Sequence, residues 1–116
     1  MSYDLRIGGK IVGTDIITAI AEPDYSSPTY NLRDMFVACM DWNYELGKWY
    51  PCTEVIEKVE HGIRELKTKR KDYIKYNPSN GWGDVDSAVR VLESLRMCIY
   101  DKAEEIPIEH LWMTWG

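Results

Sequence analysis

Asn77-Pro78-Ser79-Asn80-Gly81-Trp82-Gly83 divides the chain. Proline at 78 turns the backbone before it away from the helix, and Gly81 and Gly83 take left-handed positions at little steric cost. On both sides apolar residues recur at helical spacing, so the stretch reads as the turn of a helical hairpin. A turn of this kind has no need of an indole. Trp82 either plugs the end of the hairpin or forms the wall of a site.

Working outward, Thr53 caps the helix that enters this turn, with Val55, Ile56, Val59, Ile63 and Leu66 as its buried stripe and a basic segment as its last turns. Asp84 caps the helix that leaves it, with Val85, Ala88, Val89, Leu92, Leu95 and Ile99 facing inward. That helix frays through Lys102-Ala103-Glu104-Glu105 and stops at Pro107. An earlier helix starts at Asn31, carries Leu32, Met35, Phe36, Cys39 and Met40 on one face, and ends near Trp42. Glu22 to Tyr30 and Asn43 to Pro51 read as loops, the second rich in aromatics around Gly47.

The ends of the chain read differently. Tyr3-Asp4-Leu5-Arg6-Ile7 alternates apolar and polar, Gly8-Gly9 reads as a two-residue hairpin turn, and Lys10 to Thr14 as the returning strand. Asp15 to Ala21, dense in β-branched residues, extends that strand or forms a third. Ile108 to Trp115 alternates as a final strand with Leu111, Met113 and Trp115 on one side. The expected fold is α+β: an N-terminal β-hairpin and a C-terminal strand in a small antiparallel or mixed sheet, with three helices on one face. Residues 1–116 are expected to form one domain.

The net charge of −5 disfavours stable nucleic-acid binding. The charge is uneven: Arg64 to Lys75 holds six basic residues against two acidic ones, so this segment is +4 and the rest of the chain −9. Cys39, Cys52 and Cys98 form no CxxC pair, no signal-peptide pattern opens the chain, and no apolar run approaches the roughly 20 residues of a membrane span. A cytoplasmic protein with reduced thiols and no membrane partner is expected.

His61 and His110 have no metal-ligand spacing to cysteine or carboxylate, and no phosphate loop or nucleophile elbow is present. Cys52, just ahead of a helix, would gain a lowered pKa from the helix dipole but has no histidine near it in sequence. No catalytic residue, metal or cofactor is assigned, and the chain is read as a non-enzyme. A binding site is better supported by five Trp and eight Tyr against one Phe. Trp82, Tyr76, Trp49 and Tyr50 would supply flat surfaces, Asn80 a polar contact in the turn, and Arg70, Lys71 and Lys75 partners for an anion. The same residues would serve as anchors in a protein interface.

Tyr30-Asn31-Leu32 before a methionine-bearing helix, the run Val55-Ile56-Glu57-Lys58 with Gly62-Ile63-Arg64-Glu65-Leu66, and the Tyr76 to Gly83 turn together resemble a set of small uncharacterised proteins of phages and prophages. The likeness runs from Thr29 to Ile99, and the Ile106 to Trp112 segment departs from it. It carries no activity or catalytic residues. The phage setting implies a non-enzymatic inhibitor of host defence that sequesters a small anionic ligand, a nucleotide-derived immune signal. The alternative is a protein-binding inhibitor or adaptor that blocks a host protein through an aromatic and acidic surface. Self-association as a homodimer or higher homo-oligomer is also expected.

Overall fold

The structure, a computed structural model, describes residues 4–25, 30–77 and 84–116. It is an α+β fold with one four-stranded antiparallel sheet. The strands are β1 (Leu5–Lys10), β2 (Ile17–Ala21), β3 (Trp49–Pro51) and β4 (Leu111–Trp115), in the order β2-β1-β4-β3. The helices are α1 (Arg33–Met40), α2 (Cys52–Thr68), the short α3 (Arg70–Tyr73) and α4 (Val85–Ala103). The C-terminal strand rejoins the N-terminal hairpin as expected, with Leu5 opposite Trp115 and Ile7 opposite Met113.

The hairpin turn is not at Gly8-Gly9. Both glycines lie inside β1, and the chain reverses four residues later, where Ile11 N donates to Ile16 O at 2.8 Å. Thr14 closes that loop, its N–H and hydroxyl both donating to Ile11 O, and Gly13 takes the positive φ of 78° that the reversal needs. Ile17–Ala21, not Lys10–Thr14, is the returning strand.

Trp49–Pro51, expected as loop, is a third strand on β4. It is three residues long, and Pro51 is tolerated because the strand lies at the sheet edge.

The helices begin and end close to the expected places, with different caps. Asp84 does cap α4, its Oδ1 accepting from Ser87 N at 2.8 Å. Thr53 does not cap α2, which already includes Cys52, and Asn31 lies in a 3-10 turn ahead of α1. The basic segment is not one continuous helix end: the backbone breaks at Lys69 and resumes as α3. On α4 the inward residue is Val91 and not Val89, which is half-buried.

One contiguous core joins the helices to one face of the sheet. Leu5, Ile7, Leu111, Met113 and Trp115 meet Met35, Phe36, Val59, Ile63, Leu92 and Leu95 there, almost all fully buried. The tightest point is Gly62 on α2. A Cβ at Gly62 would lie 2.7 Å from Met40 Cγ on α1 and 3.2 Å from Leu92 Cδ1 on α4. Glycine costs a helix interior about 1 kcal/mol against alanine, so its presence here marks a close approach of three helices.

Gly62→Ala is therefore expected to destabilise the fold despite better helix propensity. Overpacking costs about 1–3 kcal/mol, which exceeds the propensity gain. Urea unfolding of Gly62→Ala, Met40→Ala and the double variant should show coupling of at least about 0.5 kcal/mol. Additive effects would mean that Met40 does not set the crowding.

Candidate functional site

The expected site residues fall into two groups at opposite ends of α2. Trp49 and Tyr50 lie just before its first residue, and Arg70, Lys71, Lys75 and Tyr76 follow its last. Seventeen helical residues at 1.5 Å rise separate the groups by about 25 Å, so they do not build one site. Asn80 and Trp82 lie outside the described residues.

At the far end of α2 much of the basic charge is engaged. Arg70 Nη1 binds Asp86 Oδ1 at 2.7 Å, joining α3 to the start of α4. Lys69 Nζ lies 3.2 Å from Glu65 Oε2, while the Tyr73 hydroxyl donates to Glu65 Oε1 at 2.8 Å. The Tyr73 hydroxyl and Lys69 hold the Glu65 carboxyl below its ordinary pKa. Asp86 is likewise lowered by Arg70, and Asp84 by the Ser87 N–H. Lys71 and Lys75 are exposed, Lys75 Nζ sits 5.4 Å from the Tyr76 ring centroid, and Tyr76 packs half-buried against the core.

Trp49 and Tyr50 are neighbours in β3 and so point to opposite faces of the sheet. Tyr50 turns to the core side, where its ring lies 4.8 Å from Trp42 and its oxygen accepts from Glu45 N at 2.8 Å. Trp42 also packs edge-on to Tyr44, which stacks on Trp115 at 4.3 Å. Tyr50 is thereby part of an aromatic packing cluster. Trp49 turns to the face away from the helices.

That open face has a definite composition. Alternation in β4 places Trp112 and Thr114 opposite the buried Leu111, Met113 and Trp115. Thr114 pairs with Arg6 on one side and Trp49 on the other, and Trp112 pairs with Gly8 and Pro51. The Trp49 ring reaches across β4 to β1: a Cβ at Gly8 would lie 2.7 Å from Trp49 Cζ3 and 2.8 Å from Ile17 Cγ2. Gly8 is glycine because an indole and an isoleucine already occupy the space above it. Lys10 Nζ lies 4.8 Å from the Trp112 ring centroid. The Thr114 hydroxyl is buried within this layer, with no hydrogen-bond partner among the described residues.

Trp49, Trp112 and Ile17 are half-buried without packing on the helical core. Beyond Ile17, in the hairpin loop, Ile16 is 59% exposed and Val12 97%. Only Trp49 of this surface was expected as a site residue. Trp112 was readable from the alternation of residues 111–115, but Gly8, Lys10 and Arg6 enter only through strand pairing.

Among the described residues, clefts border the sheet. One, about 240 Å³, is lined by Gly9, Lys10, Ile106, Glu109, His110 and Trp112. Another, about 280 Å³, includes Glu22, Asp24 and Asp101 with only Lys102 to balance them, a poor fit for an anion. Both are below the roughly 300–1,000 Å³ of drug-sized ligand pockets.

The thiols are shielded. Burial pushes Cys39 and Cys52 up to about 12, so at Cys52 desolvation overrides any effect of the helix start. Among the described residues no group of three or more His, Cys, Asp or Glu could hold a metal ion, and no helix is long and apolar enough to cross a membrane. No protein-family model, curated protein or solved structure matches this chain.

Two measurements probe these arrangements. Gly8→Val should destabilise by about 1–3 kcal/mol through overpacking, and Trp49→Ala should relieve part of that cost in a double-mutant cycle, the Ile17 contact remaining. Equal cost with and without the indole would remove Trp49 from the space above Gly8. At the other end, Glu65, Asp84 and Asp86 bind protons more weakly folded than unfolded. The stability they contribute is complete above their ordinary range, about 3.9–4.3, and is lost as pH falls through and below it. Melting temperature followed from pH 6 to pH 2.5 should fall less steeply in Glu65→Gln/Asp86→Asn than in wild type.

Proposed function

We propose that this chain is a non-enzymatic binding protein that docks on another protein through the open face of its sheet. The observation that carries the reading is the pair Trp49 and Trp112, half-buried on a face where no described helix packs, with Ile17 beside the Trp49 ring over Gly8. Tryptophan is enriched among interface hot spots, and a polar rim around such anchors is usual. Arg6 and Lys10 border the patch, each 3.8 Å from an acid, Glu22 and Asp15, so the rim is polar and mixed in charge. In the phage setting implied by the resemblance, the docked protein is a component of host defence and docking blocks it.

Tagged wild-type protein should capture one bacterial protein in stoichiometric amount. Trp112→Ala should remain folded, because Trp112 lies off the core, and should weaken that complex about 30-fold or more, the effect of an interface hot spot. Lys75→Ala should leave it unchanged. Equal capture by wild type and Trp112→Ala would defeat the reading.

A second reading, sequestration of a small anionic ligand, is favoured by exposed Lys71 and by Lys75 over the Tyr76 ring. Calorimetric binding of a cyclic dinucleotide or ADP-ribose-type signal, abolished by Lys75→Ala and indifferent to Trp112→Ala, would replace docking with sequestration.

A further inference from the structure

The two edges of the sheet differ in a way that the docking surface does not use. β3 is a protected edge: three residues long, preceded by Lys48 and ended by Pro51. β2, the other edge, is Ile17-Thr18-Ala19-Ile20-Ala21, with no charge and no proline. Exposed edges of this kind normally carry a lysine, a proline or a cover, because unpaired N–H and C=O groups recruit another strand.

The register shows which groups are unpaired. The bond from Ile11 N to Ile16 O brackets Lys10 and Ile17 as a non-hydrogen-bonded pair. Alternation then makes Gly9 and Thr18 a bonded pair and Gly8 and Ala19 a non-bonded one. The backbone N–H and C=O of Ile17 and Ala19 therefore point away from β1. The register shift between Ile7 and Gly8 leaves Ile20 as the extra residue, so the regular part of the open edge is Ile16 to Ala19.

We infer that this edge pairs with the same strand of a second copy of the chain, antiparallel about a two-fold axis at Thr18. The sequence is self-complementary in that register. Thr18 faces Thr18 of the other copy, a favourable cross-strand pair. Ile17 falls opposite Ala19, large against small, and their outward backbone groups exchange hydrogen bonds. Ile16 and Ile20, 59% and 39% exposed in the single chain, flank this paired segment. The paired residues Ile17 to Ala19 carry no charge, and the acids that flank the strand are Asp15 and Glu22. Both acids also have a cation in their own chain, Lys10 for Asp15 and Arg6 for Glu22. The pairing yields one continuous eight-stranded sheet and places two copies of the open face side by side. It stands independently of what the open face binds.

Sedimentation equilibrium at about 100 µM, where a micromolar complex is saturated, should give twice the chain mass of 13.5 kDa. Ala19→Pro removes an N–H that points away from β1, so it should give a 13.5 kDa monomer with the wild-type circular-dichroism spectrum. If that variant does not fold, Thr18→Lys decides, since it sets two ammonium groups face to face on the two-fold axis and should also yield a monomer. Mild oxidation should crosslink Thr18→Cys into a covalent dimer and leave Asp15→Cys uncrosslinked, because only residue 18 meets itself across the axis. A wild-type monomer at this concentration, or a dimer that survives Thr18→Lys, would overturn the inference. So would a monomer whose edge takes up a strand of a different protein.

Discussion

The closeness of α1, α2 and α4 at Gly62 sets the geometry on which the rest depends. With no side chain at 62, Met40, Cys39 and Leu92 lie where a Cβ would otherwise stand. Three helices brought together this tightly cover one face of a four-stranded sheet and leave no described helix for the other. The sheet must therefore finish its second face with its own side chains. Trp49 does this by lying across β4 onto Gly8, so one glycine admits the helices to the core side and another admits an indole to the open side.

The preference for tyrosine over phenylalanine has a structural counterpart. Three tyrosine oxygens join separate segments: Tyr73 donates to Glu65, Tyr100 donates to Glu60 at 2.7 Å, and Tyr50 accepts from Glu45 N. In each the oxygen makes a bond that phenylalanine could not, and the Tyr50 and Tyr73 rings also pack against or within the core. The first ties α3 to α2 and the second ties α4 to α2. Much of the aromatic excess that pointed to a binding site is thus used in holding the molecule together.

How far the structure was readable in the sequence follows from the range of each signal. The helical stripes, the Asp84 cap and the alternation of Leu111, Met113 and Trp115 are local patterns, and each appears where expected apart from Val91 in place of Val89 on α4. The failures involve partners distant in sequence. Gly8-Gly9 has the chemistry of a turn, yet Gly8 is needed beneath an indole forty-one residues later. Trp49-Tyr50-Pro51 is too short to show a period and becomes a strand only because β4 is beside it. The open face is harder still to read, since its residues come from four strands and only Trp49 stood out by composition.

The same distinction bears on where binding is to be sought. As sequence, Arg64 to Lys75 is a dense positive segment in an acidic protein. As structure, Lys67 meets Glu93 at 3.2 Å, Lys69 meets Glu65, and Arg70 meets Asp86. Two of those three carboxylates come from α4, beyond the turn, so Lys67 and Arg70, two of the segment's six cations, help to close the helical hairpin. Exposed ion pairs of this kind add little stability singly, but each one lowers the positive potential available to an external anion. On the open face of the sheet Trp49 and Trp112 remain only half-buried, and the hairpin beyond them leaves Ile16 and Val12 in water. A surface whose apolar area is still uncovered gains more from a partner than one whose charges are already matched.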